Sequence, residues 1–276
     1  MGGRRQHCSF VFSDMVGFTT MMENSEATDV VSLLNGYLEK MIKIAFRHEG
    51  TLDRIVGDAV AIMFSAPREQ ADHPARALAC ALEMHRFASA YAQDLNRQGV
   101  AFGHTRIGVH CGEVVVGNFG GATIFDYRAL GDPVNTASRL EGLNQTVGTL
   151  VCVSGAIHAC CPDVPMRPVA KVVLKGKAAA VDVYEPLSAQ PALPRSLQAM
   201  DGTGEALPVN QAQTSAEAQY QHDYQLAYTA MAGARSEALA AFENLHARRP
   251  ADSLVAFHLA RLQEGQNGEL LVMTGK

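Results

Sequence analysis

Two aspartates stand where a carboxylate needs a reason. Asp14 closes the mainly apolar run 7–12 and lies three residues before Gly17, in the segment 12–19. At the end of a buried strand a carboxylate is costly unless it is paired or bound to a metal. Asp58 follows Gly57 between two apolar runs, 51–56 and 59–64, the pattern of a tight hairpin. If these strands are sheet neighbours, both carboxylates reach one edge, and a hard divalent cation relieves their repulsion. Met15, Val16, Gly17, Phe18 and Thr19 can then wrap backbone N–H groups around phosphates, with Gly17 allowing close approach. The plainer reading of the same pair is one capping and one turn aspartate.

Asn135 and Arg139 are four apart in a helix that Asp132 and Pro133 start, so they share a face. They read either as a solvated polar stripe or as an amide and a guanidinium aimed at a transition state. Arginine suits crowded phosphate charge, since its planar fork donates several hydrogen bonds and stays protonated. Lys175 and Lys177 flank Gly176 between two strands, as an exposed turn or as cations for a terminal phosphate.

The elements that must position these groups follow from periodicity. Residues 26–46 form an amphipathic helix with Ser25 as its cap and Gly50 beyond its end. A second helix is predicted over 74–97. Strands are predicted at 105–109 and 113–117, turning at Cys111-Gly112. Gly117 to Gly121 reads as a loop. A strand over 124–130 leads to the helix at 134–143, and strands 150–153, 169–174 and 181–184 follow. Strands interleaved with helices, several in hairpins, give an α+β domain of split βαβ type over 7–187. A Pro-, Ala- and Gln-rich linker spans 188–215, a small all-α extension 216–265 and a tail 266–276. Within the extension, Ala238 and Phe242 with Pro250 fit the second helix of a tetratricopeptide unit.

Bulk properties exclude several classes. Hydrophobic residues make up 47% and charged residues 18%, which argues against disorder. The net charge of −5 gives no broad attraction to nucleic acid or anionic membrane. No apolar run reaches the length of a membrane span, and Gln6 breaks the myristoylation pattern. The six scattered cysteines form no C-x-x-C pair and read as reduced thiols of a cytoplasmic protein. The first strand begins so early that a piece of a longer protein, such as the cytoplasmic part of a membrane-anchored sensor, is expected.

Jointly, the segments 12–19, 52–60 and 130–139 resemble the class III adenylyl and guanylyl cyclase domain, over about 8–185. The resemblance implies a ferredoxin-like cyclase domain. It implies that Asp14 and Asp58, with the Met15 backbone, hold two Mg²⁺ or Mn²⁺ ions. It assigns 16–19 and Lys175 to the triphosphate, and Asn135 and Arg139 to the transition state. It further implies a head-to-tail homodimer, with the aspartates from one chain and Asn135 and Arg139 from the other. The expected activity is conversion of ATP to cyclic AMP and pyrophosphate, for intracellular signalling. A protein partner through the C-terminal helices is a further expectation.

Two purine-specifying positions depart from the family pattern. Arg54 replaces the usual lysine, and Arg128 the usual aspartate or threonine. Arginine is donor-only, so it serves adenine N1 but offers no acceptor to the N6 amine. Asp126, on the same strand face as Arg128, can supply that acceptor or pair with an arginine. Alternatives are therefore a guanylyl or relaxed-specificity purine cyclase, and a catalytically weak nucleotide-binding module.

Overall fold

The first apolar run becomes the spine of a sheet in a computed structural model, which describes residues 3–23, 26–120, 125–174, 176, 179–187 and 211–273. The chain divides into two compact units, Met1–Thr146 with Leu150–Val164, and Val147–Thr149 with Pro165–Lys276. In chain order the first unit contains β1 (Arg4–Met15), α1 (Phe18–Glu23), α2 (Ala27–Arg47), β2 (Thr51–Val56), β3 (Ala59–Phe64) and α3 (His73–Arg97). It continues with β4 (Thr105–Gly120), β5 (Phe125–Leu130), α4 (Asp132–Val147), β6 (Val151–Ser154) and α5 (Gly155–Cys160).

β1 is buried on both faces because it is central. β3 pairs antiparallel on one side, Ser13 opposite Val60. β4 pairs antiparallel on the other, from Arg4 opposite Val116 to Met15 opposite Thr105. β2 extends the sheet beyond β3, β6 runs parallel to β4, and β5 folds back on the far half of β4. This is the mixed α+β architecture expected. The hairpin strands β2 and β3 have the bounds that the sequence gives.

α3 covers one face, where Ser9 Oγ meets His73 Nδ1 at 2.7 Å. α4 covers the other, where Val134 and Ala137 pack with Cys8, Phe10, Val114 and Val116. Burying such side chains stabilises by roughly 1.5–3 kcal/mol each.

The strand pair expected at 105–109 and 113–117 is instead one continuous strand, β4. Gly112 makes no turn. It lets α4 begin close to the sheet, for a Cβ there would lie 2.7 Å from Pro133 Cγ. The glycine-rich stretch from Gly117 is likewise ladder, with Gly117 opposite Arg128 and Gly120 opposite Phe125. α4 runs one turn past its expected end, to Val147. α1 and α5 were not legible, each being six residues long. Ser25 lies outside the described residues, and Glu26 stands at the N-cap of α2 with no side-chain bond.

The second unit holds β7 (Met166–Val173), β8 (Val181–Pro186), α6 (Gln211–Ala230), α7 (Arg235–Arg248), α8 (Ser253–Gln263) and β9 (Leu270–Val272). β8 pairs antiparallel with β7, and β9, inside the expected tail, pairs parallel with it. α6 begins at Gln211, within the segment read as linker, and 188–210 lie outside the described residues.

A buried ion cluster explains why these strands group with the helices. Arg167 donates to both oxygens of Asp252 at 2.6 and 3.0 Å and to Glu185 at 2.7 Å. Its guanidinium also lies 4.8 Å from the Tyr224 ring centroid, and Tyr220 Oη donates to Asp252. Burial alone would raise the Asp252 carboxyl, but the Arg167 bonds hold it below the usual range. Burial wins at Glu185, which is raised despite Arg167. Asp252 is therefore the principal counter-charge. Removing one partner of a buried pair strands the other. Asp252→Ala should lower the unfolding free energy by about 3 kcal/mol in urea denaturation. A loss below about 1 kcal/mol, the range of an exposed pair, would show that the cluster does not hold the hairpin to the helices.

Candidate metal and phosphate site

β1 and β3 deliver Asp14 and Asp58 to one place. Asp14 is the penultimate residue of β1, and Asp58 stands in the two-residue turn that joins β2 to β3. Gly57 takes a positive φ of 63°, which this tight turn needs. The Met15 N–H donates to Asp58 Oδ2 at 2.9 Å, clasping the hairpin tip to the end of β1. Both aspartates are half-buried.

The two carboxylates disturb one another. Asp14 is pushed up to about 6, first by burial, then by the charge of Asp58 and a hydrogen bond with it. The Met15 N–H and the charge of Arg106, its cross-strand partner, work the other way. Arg106 also donates to Gln145 Oε1 at 3.1 Å. A third acid belongs to this field and no motif selected it. Glu141 of α4 is pushed up to about 7 by burial, then by Asp14, with Asp58 adding and Arg106 opposing. Three carboxylates against one arginine leave a negative surplus, which fits a divalent cation.

Past Met15 the chain turns sharply. Val16 N–H donates to the His104 carbonyl at 2.8 Å, so it is committed to the sheet rather than open to a phosphate. Gly17 has φ +77° with nothing within 4 Å of a Cβ built there, and its carbonyl accepts from Met21 N–H in α1. Phe18 and Thr19 form the first turn of α1, where N–H groups have no carbonyl inside the helix. Thr19 is described by its backbone only. Behind this loop lies a cavity of about 720 Å³, lined by residues that include Val16, Gly17, Val30, Leu33 and Phe102.

The remaining candidates fall into three sets. Asn135 is exposed and Arg139 half-buried on α4, and neither side chain makes a hydrogen bond or ion pair with a described residue. Lys175 lies outside the described residues. Arg54 and Arg128 are each tied to a neighbouring acid. Arg54 Nε donates to Asp53 Oδ2 at 2.7 Å, and Arg128 Nε donates to Asp126. Asp53 was not foreseen. A register shift between Leu52 and Arg54 marks a bulge there, which strict alternation conceals.

Residues 3–184 match the adenylate and guanylate cyclase catalytic domain family. Adenylate cyclase 1 of Rhizobium meliloti (strain 1021) is 38% identical over 188 residues, 67% of this chain and 28% of that protein. An adenylate cyclase of Anabaena cylindrica is 31% identical over 182 residues, 64% of this chain and 36% of that protein. The chain thus spans about a third of the length of these relatives. The crystal structure of the adenylyl cyclase CyaB from P. aeruginosa matches with a TM-score of 0.65 at 30% identity, covering 70% of this chain and 100% of that one. That of the guanylyl cyclase Cya2 matches with a TM-score of 0.60 at 32% identity, covering 67% and 94%.

The raised acids set a pH dependence for the metal-free protein. A carboxyl that titrates higher when folded stabilises below its unfolded pKa, and that stability is lost as pH rises through the folded value. For Glu141 the window runs from the ordinary carboxylate range to about 7. In EDTA, Glu141→Gln should melt above wild type at pH 8 and lose that advantage at pH 4.5. An equal offset at both pH values in calorimetry would refute the placement of Glu141 in the aspartates' field.

Proposed function

This chain belongs to the adenylate and guanylate cyclase catalytic domain family, and from that premise we propose that it converts ATP to 3′,5′-cyclic AMP and pyrophosphate at a site shared between two copies of itself. The observation that carries the reading is the Asp14–Asp58 pair, clasped through the Met15 N–H, with its uncompensated negative charge. Asp14, Asp58 and the Met15 backbone would hold two Mg²⁺ or Mn²⁺ ions. Bound there, such ions neutralise phosphate charge and lower the pKa of the attacking ribose 3′-hydroxyl.

The chain's own groups do the rest. N–H groups from Gly17 to Thr19 bind phosphate oxygens at the open turn, and Lys175 neutralises the far end of the triphosphate. Asn135 and Arg139 address the reacting α-phosphate. Arg139 meets the charge that builds as pyrophosphate leaves, so its loss should act mainly on kcat.

The geometry of α4 supports the two-copy site. Glu141 faces its own chain's aspartates, and Ala137, Leu140 and Asn144 are buried. Arg139 lies two residues before Glu141, about 200° around the helix. That angle turns it away from the side of α4 that carries Glu141, as a residue serving a second copy would be.

A guanylyl or relaxed purine cyclase is the second reading, and one observation favours it. Asp53 and Asp126 place carboxylate acceptors beside Arg54 and Arg128. Guanine offers N1–H and an N2 amine to such acceptors, whereas adenine offers only its N6 amine. We expect ATP to be preferred by a modest margin, since one buried hydrogen bond is worth roughly 1–3 kcal/mol, about five- to a hundredfold.

Turnover of ATP and of GTP, each with Mg²⁺ and with Mn²⁺, tests the activity and the base together. Cyclic GTP as the main product would move the assignment to the second reading. Mixing tests the shared site. Asp14→Ala should abolish turnover, and Arg139→Ala should cut kcat by about two orders of magnitude. In a mixed dimer one pocket collects both mutations and the other neither, so activity should return. Failure to recover activity, once subunit exchange is demonstrated by pull-down, would sink the two-copy arrangement.

A further inference from the structure

The turn after Asp14 rests on a floor that none of the motifs contains. Val16 N–H is held by the His104 carbonyl at 2.8 Å. Directly beneath, Gly103 approaches so closely that a Cβ on it would stand 1.8 Å from the Val16 oxygen and 2.8 Å from its carbonyl carbon. No side chain reaches that approach without displacing one of the two segments. Next in the floor is Thr105, the ladder partner of Met15, only 4% exposed. Its hydroxyl is 2.7 Å from the phenol oxygen of Tyr37 on α2, itself 1% exposed.

Tyr37 lies within the field of the aspartates. Burial chiefly drives its phenol upward, and the charges of Asp58 and Asp14 push it further. The floor is fastened from below as well. Asn96 on α3 donates to the Phe102 carbonyl at 2.9 Å and accepts from the Phe102 N–H at 3.1 Å. The Phe102 ring packs against Tyr37 and Tyr91 with centroids at 5.5 and 5.2 Å. These contacts fix the 102–105 backbone, and through it the height and angle of Met15 and Val16.

We infer that Gly103 and the Tyr37–Thr105 hydroxyl pair are positioning residues for metal-nucleotide binding, setting the backbone of Met15 and Val16 on which the Asp14–Asp58 arrangement depends. They touch neither substrate nor metal. They act by holding the segment whose Met15 N–H clasps Asp58. The inference rests on the cyclase reading for the identity of the ligand, and its own content is the geometry beneath the loop.

The probe is Mn²⁺ with 3′-deoxy-ATP, which lacks the attacking hydroxyl and binds without turnover. Its affinity is measured by calorimetry beside the melting temperature of each protein. Groups that orient metal ligands typically cost 10–100-fold in affinity when removed. Gly103→Ala should weaken binding at least tenfold while a cooperative melt persists. Thr105→Val, which keeps the shape and removes the hydroxyl, should weaken it severalfold. Thr105→Ser, which restores a hydroxyl, should recover most of it.

A merely structural role gives another pattern, in which melting temperatures fall and the affinity of the folded protein is unchanged. That result overturns the inference. If Gly103→Ala fails to fold, the Thr105 pair decides alone, and equal affinities for the valine and serine variants overturn it. Failure of the cyclase reading shows separately. A wild type that binds Mn²⁺ with 3′-deoxy-ATP but forms no cyclic nucleotide refutes the activity and leaves the positioning test intact. A wild type that does not bind the probe refutes both.

Discussion

Like charge held at close range is the constraint around which the first unit is organised. Asp14 and Asp58 lie in adjacent strand ends because β1 pairs with β3, and neither can retreat without unpicking that ladder. Burial and then the neighbouring charge push Asp14 up to about 6, a cost set against the small net stability of any domain. The fold tolerates it because β1 is paired along both edges and packed on both faces. Strain of this kind persists only where its surroundings over-determine it, and such places are where function gathers.

α4 divides its work by face. Toward the sheet it needs close contact, and Gly108 supplies it, for a Cβ there would meet the Ala137 carbonyl and the Glu141 N–H nitrogen at 2.2 Å. Asn144 ties the same face to the Ile107 carbonyl at 3.0 Å. With that face fixed, helical geometry alone decides that Arg139 looks elsewhere. If the site is shared as proposed, a firmly seated helix presents Arg139 with little reordering left to do.

What was legible in the sequence follows from what leaves a local trace. The β2–β3 hairpin was readable because Gly57 and Asp58 sit between two apolar runs, so turn chemistry and periodicity agree. The meeting of Asp14 with Asp58 and the shared helix of Asn135 and Arg139 were readable because residue type and spacing suffice. β4 was misread because glycine has two uses. Gly112 and Gly117 resemble turns, yet one makes room for Pro133 and the other lies in the ladder with Arg128. Glu141, Arg106, Tyr37 and Gly103 left no trace at all. Each matters through a neighbour far along the chain, so register and packing had to be known first. Arg54 was singled out as a purine-facing position, but its partner Asp53 was hidden by the bulge.

Two charge clusters among the described residues differ in a way that a shifted pKa alone does not reveal. Ion networks that merely hold a fold also perturb titration, so perturbation alone is ambiguous. Around Arg167 the opposite charges bond one another, though the carboxylates outnumber the guanidinium. A guanidinium bonds two carboxylates, a tyrosine hydroxyl donates to one of these, and an aromatic face covers the cation. Such a cluster is complete within its own unit. Around Asp14 they do not. Asp58 and Glu141 add negative charge, and Arg106 opposes with one positive charge from the neighbouring strand. A half-buried site that ends with surplus charge of one sign is stable only at a cost, and a ligand of the opposite sign removes that cost. The cluster whose opposite charges bond one another fits a scaffold, and the one left without such bonds fits the proposed cation site.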